Sequence, residues 1–234
     1  MSAPQQPNPA DLDRVAVAAL TRVADGMILG LGTGRAAEAF IRKLGERVRR
    51  GMRVQAVATS ERSAALAHRE SIEVLLLDQV DRIDVAFDGA DEVAPDLSLT
   101  KGLGGALLRE RVVAYDAERF VVLVTPEKLV ERLGTRTPIP IEVVPFASPS
   151  AARHLQKLGG KPVVRKDAAG LPYRTDNHNW ILDTDFGPID DPAALDARLR
   201  RIPGLVDNGL FLKMASVVLV GDEGAVRELR RQDP

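Results

Sequence analysis

The chain has 234 residues, a formal net charge of −1 and no cysteine. Disulfides, thiolate catalysis and cysteine-type zinc sites are therefore excluded, and the lack of a basic excess argues against binding to a nucleic-acid backbone. The length suits one large domain, or a medium domain with a small one. The three histidines are far apart in the sequence and have no metal-ligand spacing.

The N-terminal sequence MSAPQQPNPA is polar and proline-rich, and we expect a short disordered tail there. It lacks the charged and then apolar pattern of a secretory signal. No run of about 18 apolar residues occurs, so we expect no transmembrane helix and no membrane partner. The predicted location is the cytoplasm.

Helices and apolar strands alternate through the first half of the chain. DLDRVAVAALTRVADG predicts an amphipathic helix with Asp11 as its N-cap and Gly26 as its stop. The following segments predict strands at MILGLGTG, RVQAVATS, IEVLLL, IDVAFD and RFVVLVTP, and helices at AAEAFIRKLGERVRRG, ERSAALAHRE (capped by Ser60) and GALLRERVVAYD. Because the strands are apolar throughout, the pattern is typical of a parallel sheet covered on both faces.

The pattern changes near residue 135, where the chain becomes proline-rich. The segments IEVVPF, SAARHLQKLG, PVVRKD, NWILDTDF, PAALDARLRR and GLVDNG then follow the order β-α-β-β-α-β, which is ferredoxin-like. SVVLVG predicts one more buried strand, which returns to the first sheet. We therefore predict a main domain at residues 11–134 plus 208–234 and a small domain at residues 135–207.

The glycine-rich GLGTG follows the first predicted strand. Ligands of open parallel sheets bind beyond the carboxyl ends of the strands, and glycines let backbone N–H groups approach a phosphate there. A dinucleotide fingerprint would need glycine where Arg35 stands and an acidic residue after the second strand, where the chain has VATS. A nucleotide P-loop is also absent. A phosphate loop and a plain tight turn both stay open.

A second group of polar residues lies in DGADE and KGLGGALLRE. Paired carboxylates at Asp88 and Asp91 could bind a divalent metal or perform acid–base catalysis, or could form a solvated turn. Lys101 could be an ordinary surface lysine. Glu110 lies on a helix whose apolar residues spread over much of its surface, so its carboxylate is expected to be partly desolvated and more basic.

Taken together, GLGTG, DGADE, KGLGGALLRER and NGLF resemble the ribose-5-phosphate isomerase type A family. The resemblance covers nearly the whole chain after the first ten residues. It implies an α/β fold with a Rossmann-like, mostly parallel sheet and a small inserted ferredoxin-like α+β domain. It also implies a homodimer or a dimer of dimers.

The resemblance also implies which residues form the site. The general base falls on Glu110, the assisting carboxylates on Asp88 and Asp91, and the catalytic lysine on Lys101. The substrate-binding positions are Thr33, Gly34, Arg35, Ala36, Gly89, Ala90, Gly102, Leu103, Gly104 and, near the phosphate, Lys128. The family usually has G-T-G-S-T in the first loop, so Arg35 and Ala36 stand where two hydroxyl donors are usual.

The implied reaction converts D-ribose 5-phosphate to D-ribulose 5-phosphate through an enediolate, in the non-oxidative branch of the pentose phosphate pathway. The resemblance implies no metal and no other cofactor, and a sugar phosphate as the only partner besides a second copy. Two alternatives remain. The first is a non-catalytic sugar-phosphate sensor, and the second is a metal-dependent phosphatase that uses DGADE.

Overall fold

The structure is a computed structural model that describes residues 8–230. Residues 1–7 of the predicted disordered tail and residues 231–234 of the predicted main domain lie outside the described residues. No helix in the described range is long and apolar enough to cross a lipid bilayer.

The described chain contains helices and strands that we number separately in chain order. The helices are α1 (Pro9–Leu20), α2 (Arg35–Val48), α3 (Glu61–Arg69), α4 (Leu107–Asp116), α5 (Ser148–Lys157) and α6 (Pro192–Leu199). The strands are β1 (Ile28–Leu31), β2 (Gln55–Ala58), β3 (Glu73–Val74), β4 (Val85–Asp88), β5 (Glu92–Val93), β6 (Leu99–Thr100), β7 (Phe120–Val124), β8 (Ile139–Val143), β9 (Lys161–Val164), β10 (Trp180–Asp185), β11 (Leu205–Asn208), β12 (Leu210–Phe211), β13 (Val217–Asp222) and β14 (Ala225–Arg230).

Helix α1 begins earlier and ends earlier than the sequence predicted. Its N-cap is Asn8, whose side chain accepts a hydrogen bond from the Ala10 N–H at 3.0 Å, and proline fills the first helical position. Asp11 lies inside the first turn and pairs with Arg14, so the prediction of Asp11 as N-cap was wrong. The helix ends at Leu20, so Gly26 is not its stop.

The described chain divides into two compact units. The first contains the chain up to Ala90, Glu110–Leu129 and the chain from Met214 onward, and the second contains Asp91–Arg109 and Val130–Lys213. The segment Asp91–Arg109 therefore groups with the second unit. A division into compact units does not show that each unit folds by itself. The two domains expected from the sequence therefore stay a prediction.

The first unit contains a seven-stranded sheet in the order β14-β13-β7-β4-β1-β2-β3. All neighbouring strands are parallel except the hairpin of β13 and β14. The mostly parallel α/β sheet expected from the sequence is confirmed, as is the return of SVVLVG to it as β13. The edge strands differ from expectation, since IEVLLL forms only the short β3 and β14 was not predicted.

A buried apolar core covers this sheet. Phe40 of α2 stacks on Phe87 of β4 with ring centroids 4.2 Å apart, and both side chains are fully buried. Such an aromatic pair stabilises the native state by about 0.5–1.5 kcal/mol beyond the area it buries. The contact fixes α2 against the strand that ends at Asp88.

The second unit contains a four-stranded antiparallel sheet in the order β11-β8-β10-β9. Helices α5 and α6 complete the predicted β-α-β-β-α-β order, and their buried residues Ala151, Leu155 and Leu199 join the core of this unit. A separate three-stranded sheet, in the order β12-β6-β5, also belongs to this unit. Its strands have only two residues each, so the sequence showed no strand pattern there.

Candidate active site

The carboxyl ends of four parallel strands of the first unit present polar residues at one edge of the sheet. Strands β2, β1, β4 and β7 are neighbours and parallel. Their carboxyl ends lie at or within two residues of Thr59, Thr33, Asp88 and Thr125, respectively. This edge is where open α/β sheets bind ligands, so the first unit has its candidate site there.

Two of the three glycines of GLGTG, Gly30 and Gly32, are needed because neighbouring atoms leave no room for a side chain. A Cβ built on Gly30 would stand 2.5 Å from Val113 Cγ1 of α4 and 2.7 Å from Ala86 Cβ of β4. A Cβ on Gly32 would stand 2.1 Å from Asp88 Cγ. Only Gly34, with φ of 104° and no atom within 4 Å of its Cβ position, uses the backbone freedom of glycine.

Asp88 and Glu110 line the same small pocket of the first unit. Asp88 is 2% exposed and Glu110 is 4% exposed, and Gly32, Thr59 and Phe120 contribute to the same lining. Asp88 Oδ1 accepts hydrogen bonds from the N–H groups of Thr33 and Gly89, at 3.0 and 2.7 Å. The structure thus brings two of the sequence-predicted catalytic carboxylates together and fixes the orientation of one of them.

A chain of hydroxyl groups supports the first loop. Thr33 Oγ1 lies 2.8 Å from the hydroxyls of Thr59 and Ser60 and 3.2 Å from that of Ser63. Ser63 Oγ donates to the Gly32 carbonyl at 2.7 Å, and Ser60 caps α3 as predicted by accepting from the Ser63 N–H. Thr59 and Ser63 were not among the site residues predicted from the sequence. The position of VATS at the end of a parallel strand was the signal that could have identified them.

The other predicted substrate-binding residues of the first unit surround this edge. Arg35 is exposed at the first position of α2, and Ala36 follows it. A Cβ on Gly89 would stand 3.7 Å from Ala36 Cβ, so these two loops are adjacent. Ala90 ends the first-unit segment, and Lys128 closes a 3₁₀ turn after β7, where its N–H donates to the Thr125 carbonyl.

In the second unit the remaining two acids of DGADE make separate contacts. Asp91 Oδ2 accepts the Leu103 N–H at 3.0 Å. Glu92 is fully buried and accepts the N–H groups of Gly134, Arg136 and Thr137 at 2.6, 2.5 and 2.9 Å. The Glu92 carboxylate therefore anchors the loop from Gly134 to Thr137, whereas the Asp91 carboxylate binds the loop that follows Lys101.

Lys101 is 3% exposed and lies within the second unit. Its N–H donates to the Gly209 carbonyl at 2.9 Å, and its Nζ lies 5.6 Å from the ring centroid of Phe211. A cation over an aromatic face is stabilised electrostatically. The NGLF sequence therefore supports both the backbone and the charge of Lys101.

The backbone N–H groups of the loop that follows Lys101, residues 102–105, differ in their hydrogen bonding. The Leu103 N–H donates to Asp91, and the Gly105 N–H donates to the Gly102 carbonyl at 3.0 Å. Within residues 8–230, the N–H groups of Gly102 and Gly104 have no hydrogen-bond partner. Gly104 is exposed, so its N–H is accessible to a ligand.

No three histidine, aspartate or glutamate side chains of the described residues form a group that could hold a metal ion.

Comparisons with known proteins agree on one family. The family model described as ribose 5-phosphate isomerase A (phosphoriboisomerase A) matches residues 55–225. The chain is 52% identical over 220 residues to ribose-5-phosphate isomerase A of Thermomicrobium roseum, covering 94% of this chain and 93% of the relative. For the same enzyme of a Roseiflexus species, identity is 50% over 216 residues, covering 91% and 93%.

Solved structures give the same result. A D-ribose-5-phosphate isomerase in complex with phospho-erythronic acid has a TM-score of 0.94 and 41% identity, covering 97% of this chain and all of that chain. Ribose 5-phosphate isomerase A of Methanocaldococcus jannaschii has a TM-score of 0.91 and 43% identity, covering 95% of this chain and all of the other. Given these matches over nearly its full length, the chain belongs to the ribose 5-phosphate isomerase A family.

Proposed function

We propose that this protein is an enzyme that interconverts D-ribose 5-phosphate and D-ribulose 5-phosphate, with Glu110 as the general base. The observation that supports this most directly is the pair of buried carboxylates, Asp88 and Glu110, in one pocket at the ligand-binding edge of the sheet. An aldose–ketose isomerase needs one group that takes a proton and returns it to the neighbouring carbon. A second group must open the sugar ring.

Glu110 takes the proton from C2 of the open-chain aldose, and the electron pair moves through C1–C2 to the aldehyde oxygen. The resulting cis-enediolate carries oxygens on C1 and C2. Glu110 then returns the proton to C1, and the O2 proton is lost as the C2 carbonyl forms, while O1 is protonated. Burial favours this role, since a desolvated carboxylate is a stronger base than an exposed one.

We assign the acid–base step of ring opening to Asp88, because its carboxylate lines the pocket and is held in one orientation by two backbone N–H groups at Oδ1. The roles of the second-unit residues rest on the family resemblance. Asp91 orders the sugar hydroxyls, and Lys101 with the Gly102 and Gly104 N–H groups stabilises the developing oxyanion. A relative forms a complex with phospho-erythronic acid. We expect this compound to inhibit the reaction, because the two oxygens of its planar carboxylate resemble the planar arrangement of oxygens in the enediolate.

The phosphate of the substrate binds at the loop from Thr33 to Ala36, close to Gly89, with Lys128 as its cationic partner. Backbone N–H groups at the start of α2 and the partial positive charge of that helix end favour an anion. The N-cap residue of α2 is Gly34, which has no side chain that could bind the N–H groups of the first helical turn. These N–H groups are therefore not occupied by a capping side chain.

The proposal includes a homodimer or dimer of dimers in the cytoplasm, acting in the non-oxidative pentose phosphate pathway. Phe146 is 96% exposed and its neighbour Val144 is 42% exposed, which provides apolar surface for a second copy. Light scattering on the purified protein tests the assembly. A monomer at micromolar concentration would exclude this part of the proposal and leave the reaction unaffected.

The test of the reaction is incubation of the purified protein with ribose 5-phosphate in D₂O, followed by NMR. Ribulose 5-phosphate is expected, with solvent deuterium at its C1, because the enediolate exchanges its proton with water. Substrate binding without turnover would favour the sensor instead. Turnover that leaves substrate and product free of deuterium after equilibration would exclude the enediolate route.

A further inference from the structure

Arg165 connects the sheet of the second unit to the loop that contains Lys101. It directly follows β9, and its Nε and Nη2 donate to the two carboxylate oxygens of Asp183 in β10, at 2.8 and 2.5 Å. Its Nη1 donates to the carbonyl oxygens of Gly102 and Leu103, both at 3.0 Å. The Arg165 side chain is only 13% exposed. A single guanidinium thus holds two successive peptide groups against a strand.

These two bonds determine where the loop N–H groups point. In a planar trans peptide the C=O and N–H bonds point in opposite directions. The described chain has no cis peptide. Because the Gly102 carbonyl accepts a hydrogen bond from Arg165, the Leu103 N–H points away from the guanidinium, and it donates to Asp91. With the Leu103 carbonyl on Arg165, the Gly104 N–H points away as well, and it is the accessible donor identified above.

Tyr173 supports the same arrangement from the adjoining hairpin. Its ring centroid lies 5.8 Å from Arg165 Cζ, and its N–H donates to the Arg165 carbonyl at 2.9 Å. Its hydroxyl would stand 2.3 Å from a Cβ built on Gly105, where φ is 86°. Burial raises the pKa of the Tyr173 hydroxyl, and Asp176 raises it further, so the tyrosine stays neutral beside the loop.

We propose that Arg165 is a positioning residue for the isomerase reaction, which fixes the Leu103–Gly104 peptide so that the Gly104 N–H donates to the developing enediolate oxygen. Asp183 holds the guanidinium in the plane that this requires. The inference rests on the proposed function. It adds a residue that lies 63 positions from Gly102 in the sequence and that no motif indicates.

The test is Arg165→Lys, which keeps the positive charge. One ammonium group cannot pair with both Asp183 oxygens in the planar geometry of a guanidinium and also hold two carbonyls. Loss of a donor to an oxyanion costs about 10²–10³ in kcat, and a displaced donor is expected to cost about tenfold or more. KM for ribose 5-phosphate should stay within about threefold, since the donor acts mainly on the transition state. The affinity for phospho-erythronic acid should fall by a factor similar to that of kcat.

Two further variants complete the experiment. Asp183→Asn keeps the shape of the pair but weakens its hold on Arg165, and it should lower kcat in the same direction by a smaller factor. Arg200→Lys is the matched control, because Arg200 pairs with Asp196 within the second unit and is 47% exposed. The control should keep wild-type kcat and wild-type inhibitor affinity. Thermal unfolding of each variant reports the folded fraction.

The outcomes separate this inference from the proposed function. An inactive wild-type protein would overturn both. An active wild type with Arg165→Lys and Asp183→Asn at wild-type kcat would overturn the inference alone. If activity falls only in proportion to the folded fraction while inhibitor affinity is unchanged, Arg165 has a structural role only. If Arg165→Lys does not fold, Asp183→Asn decides between these results.

Discussion

Gly32 and Asp88 are in such close contact that a Cβ on Gly32 would stand 2.1 Å from Asp88 Cγ and Oδ1. The contact follows from the parallel pairing of β1 and β4, whose carboxyl ends lie side by side. The next N–H along the chain, that of Thr33, donates to the same carboxylate. The first glycine-rich loop therefore determines the orientation of a proposed catalytic acid as well as that of its own amides.

Gly32→Ala should displace the Asp88 carboxylate, because the added Cβ would overlap with its Cγ and Oδ1. Overpacking of this kind costs about 1–3 kcal/mol of stability. We expect kcat to fall by at least about tenfold, which is part of the about 10²–10⁴-fold that a positioned acid–base group contributes. Steady-state kinetics and thermal unfolding measure the two effects.

Gly221→Ala is the control for this substitution. Its Cβ would stand 2.5 Å from the Asp11 carbonyl oxygen in α1, so the folded state should be destabilised there as well. The kcat of the folded fraction should remain that of the wild type. Equal losses of kcat in both variants would mean that the effect of Gly32→Ala is destabilisation and not displacement of Asp88.

Thr33→Val should affect stability as well as substrate binding. The Thr33 hydroxyl contacts three other hydroxyls, of which those of Thr59 and Ser63 belong to side chains that are 1% exposed. Removing it leaves buried hydroxyls with fewer partners, at a cost of about 1–3 kcal/mol. Urea unfolding should show this loss, and Thr33→Ser should restore most of it. A rise in KM with no loss of stability would mean that the hydroxyl serves the phosphate alone.

The sequence predicted the parts of the site that follow from strand ends. Asp88 is the last residue of one apolar strand, and Thr33 follows another after a single glycine. The parallel-sheet rule therefore placed both at one edge, and in the structure the Thr33 N–H donates to the Asp88 carboxylate. The buried position of Glu110 followed from the apolar residues around it on α4. The same rule covered Thr59, but no acidic or glycine motif drew attention to it.

Other contacts depend on pairing between distant segments and were not predictable. Glu92 resembled its neighbours in DGADE, yet its partners lie more than 40 positions further along the chain, such as Gly134. Arg165 stands in a polar hairpin with no recognisable pattern. At the N-terminus, the proline-rich composition favoured a tail, although proline at the first turn is also typical of a helix start, as Pro9 shows.

Glu110→Gln should abolish proton transfer while the fold is kept. The amide keeps the size and much of the hydrogen bonding of the carboxylate but cannot accept the C2 proton. General-base catalysis contributes about 10²–10⁴-fold, so kcat should fall by at least that factor with little change in KM. Deuterium exchange into C2 of ribose 5-phosphate is the measurement, with circular dichroism as the folding control. Exchange at the wild-type rate would assign the base to another group.

Removal of divalent metal should leave the activity unchanged. The proposed oxyanion stabilisers are Lys101 and loop amides, so the mechanism has no step that needs a metal. Assays after dialysis against EDTA should give the wild-type kcat, and added Mg²⁺, Mn²⁺ or Zn²⁺ should not raise it. Loss of activity that a divalent ion restores would overturn this mechanism and favour the metal-dependent reading of DGADE.

Arg35→Ala should weaken binding of the phosphorylated sugar. Arg35 is exposed at the start of α2, beside the loop where the family usually has two more hydroxyl donors, and it forms no ion pair within the described residues. A guanidinium can donate two charge-assisted hydrogen bonds to phosphate oxygens, which would replace those hydroxyls. We expect KM to rise about tenfold or more, equivalent to roughly 1.4 kcal/mol of binding that substrate and transition state share. The kcat should change little, because the phosphate is remote from the transferred proton.

Arg42→Ala on the same helix is the matched control, since Arg42 is 58% exposed and its nearest acidic partner is Glu70 at 3.8 Å. It should leave KM unchanged. If Arg35→Ala and Arg42→Ala both keep the wild-type KM at low ionic strength, Arg35 has no part in phosphate binding and the loop amides with Lys128 suffice.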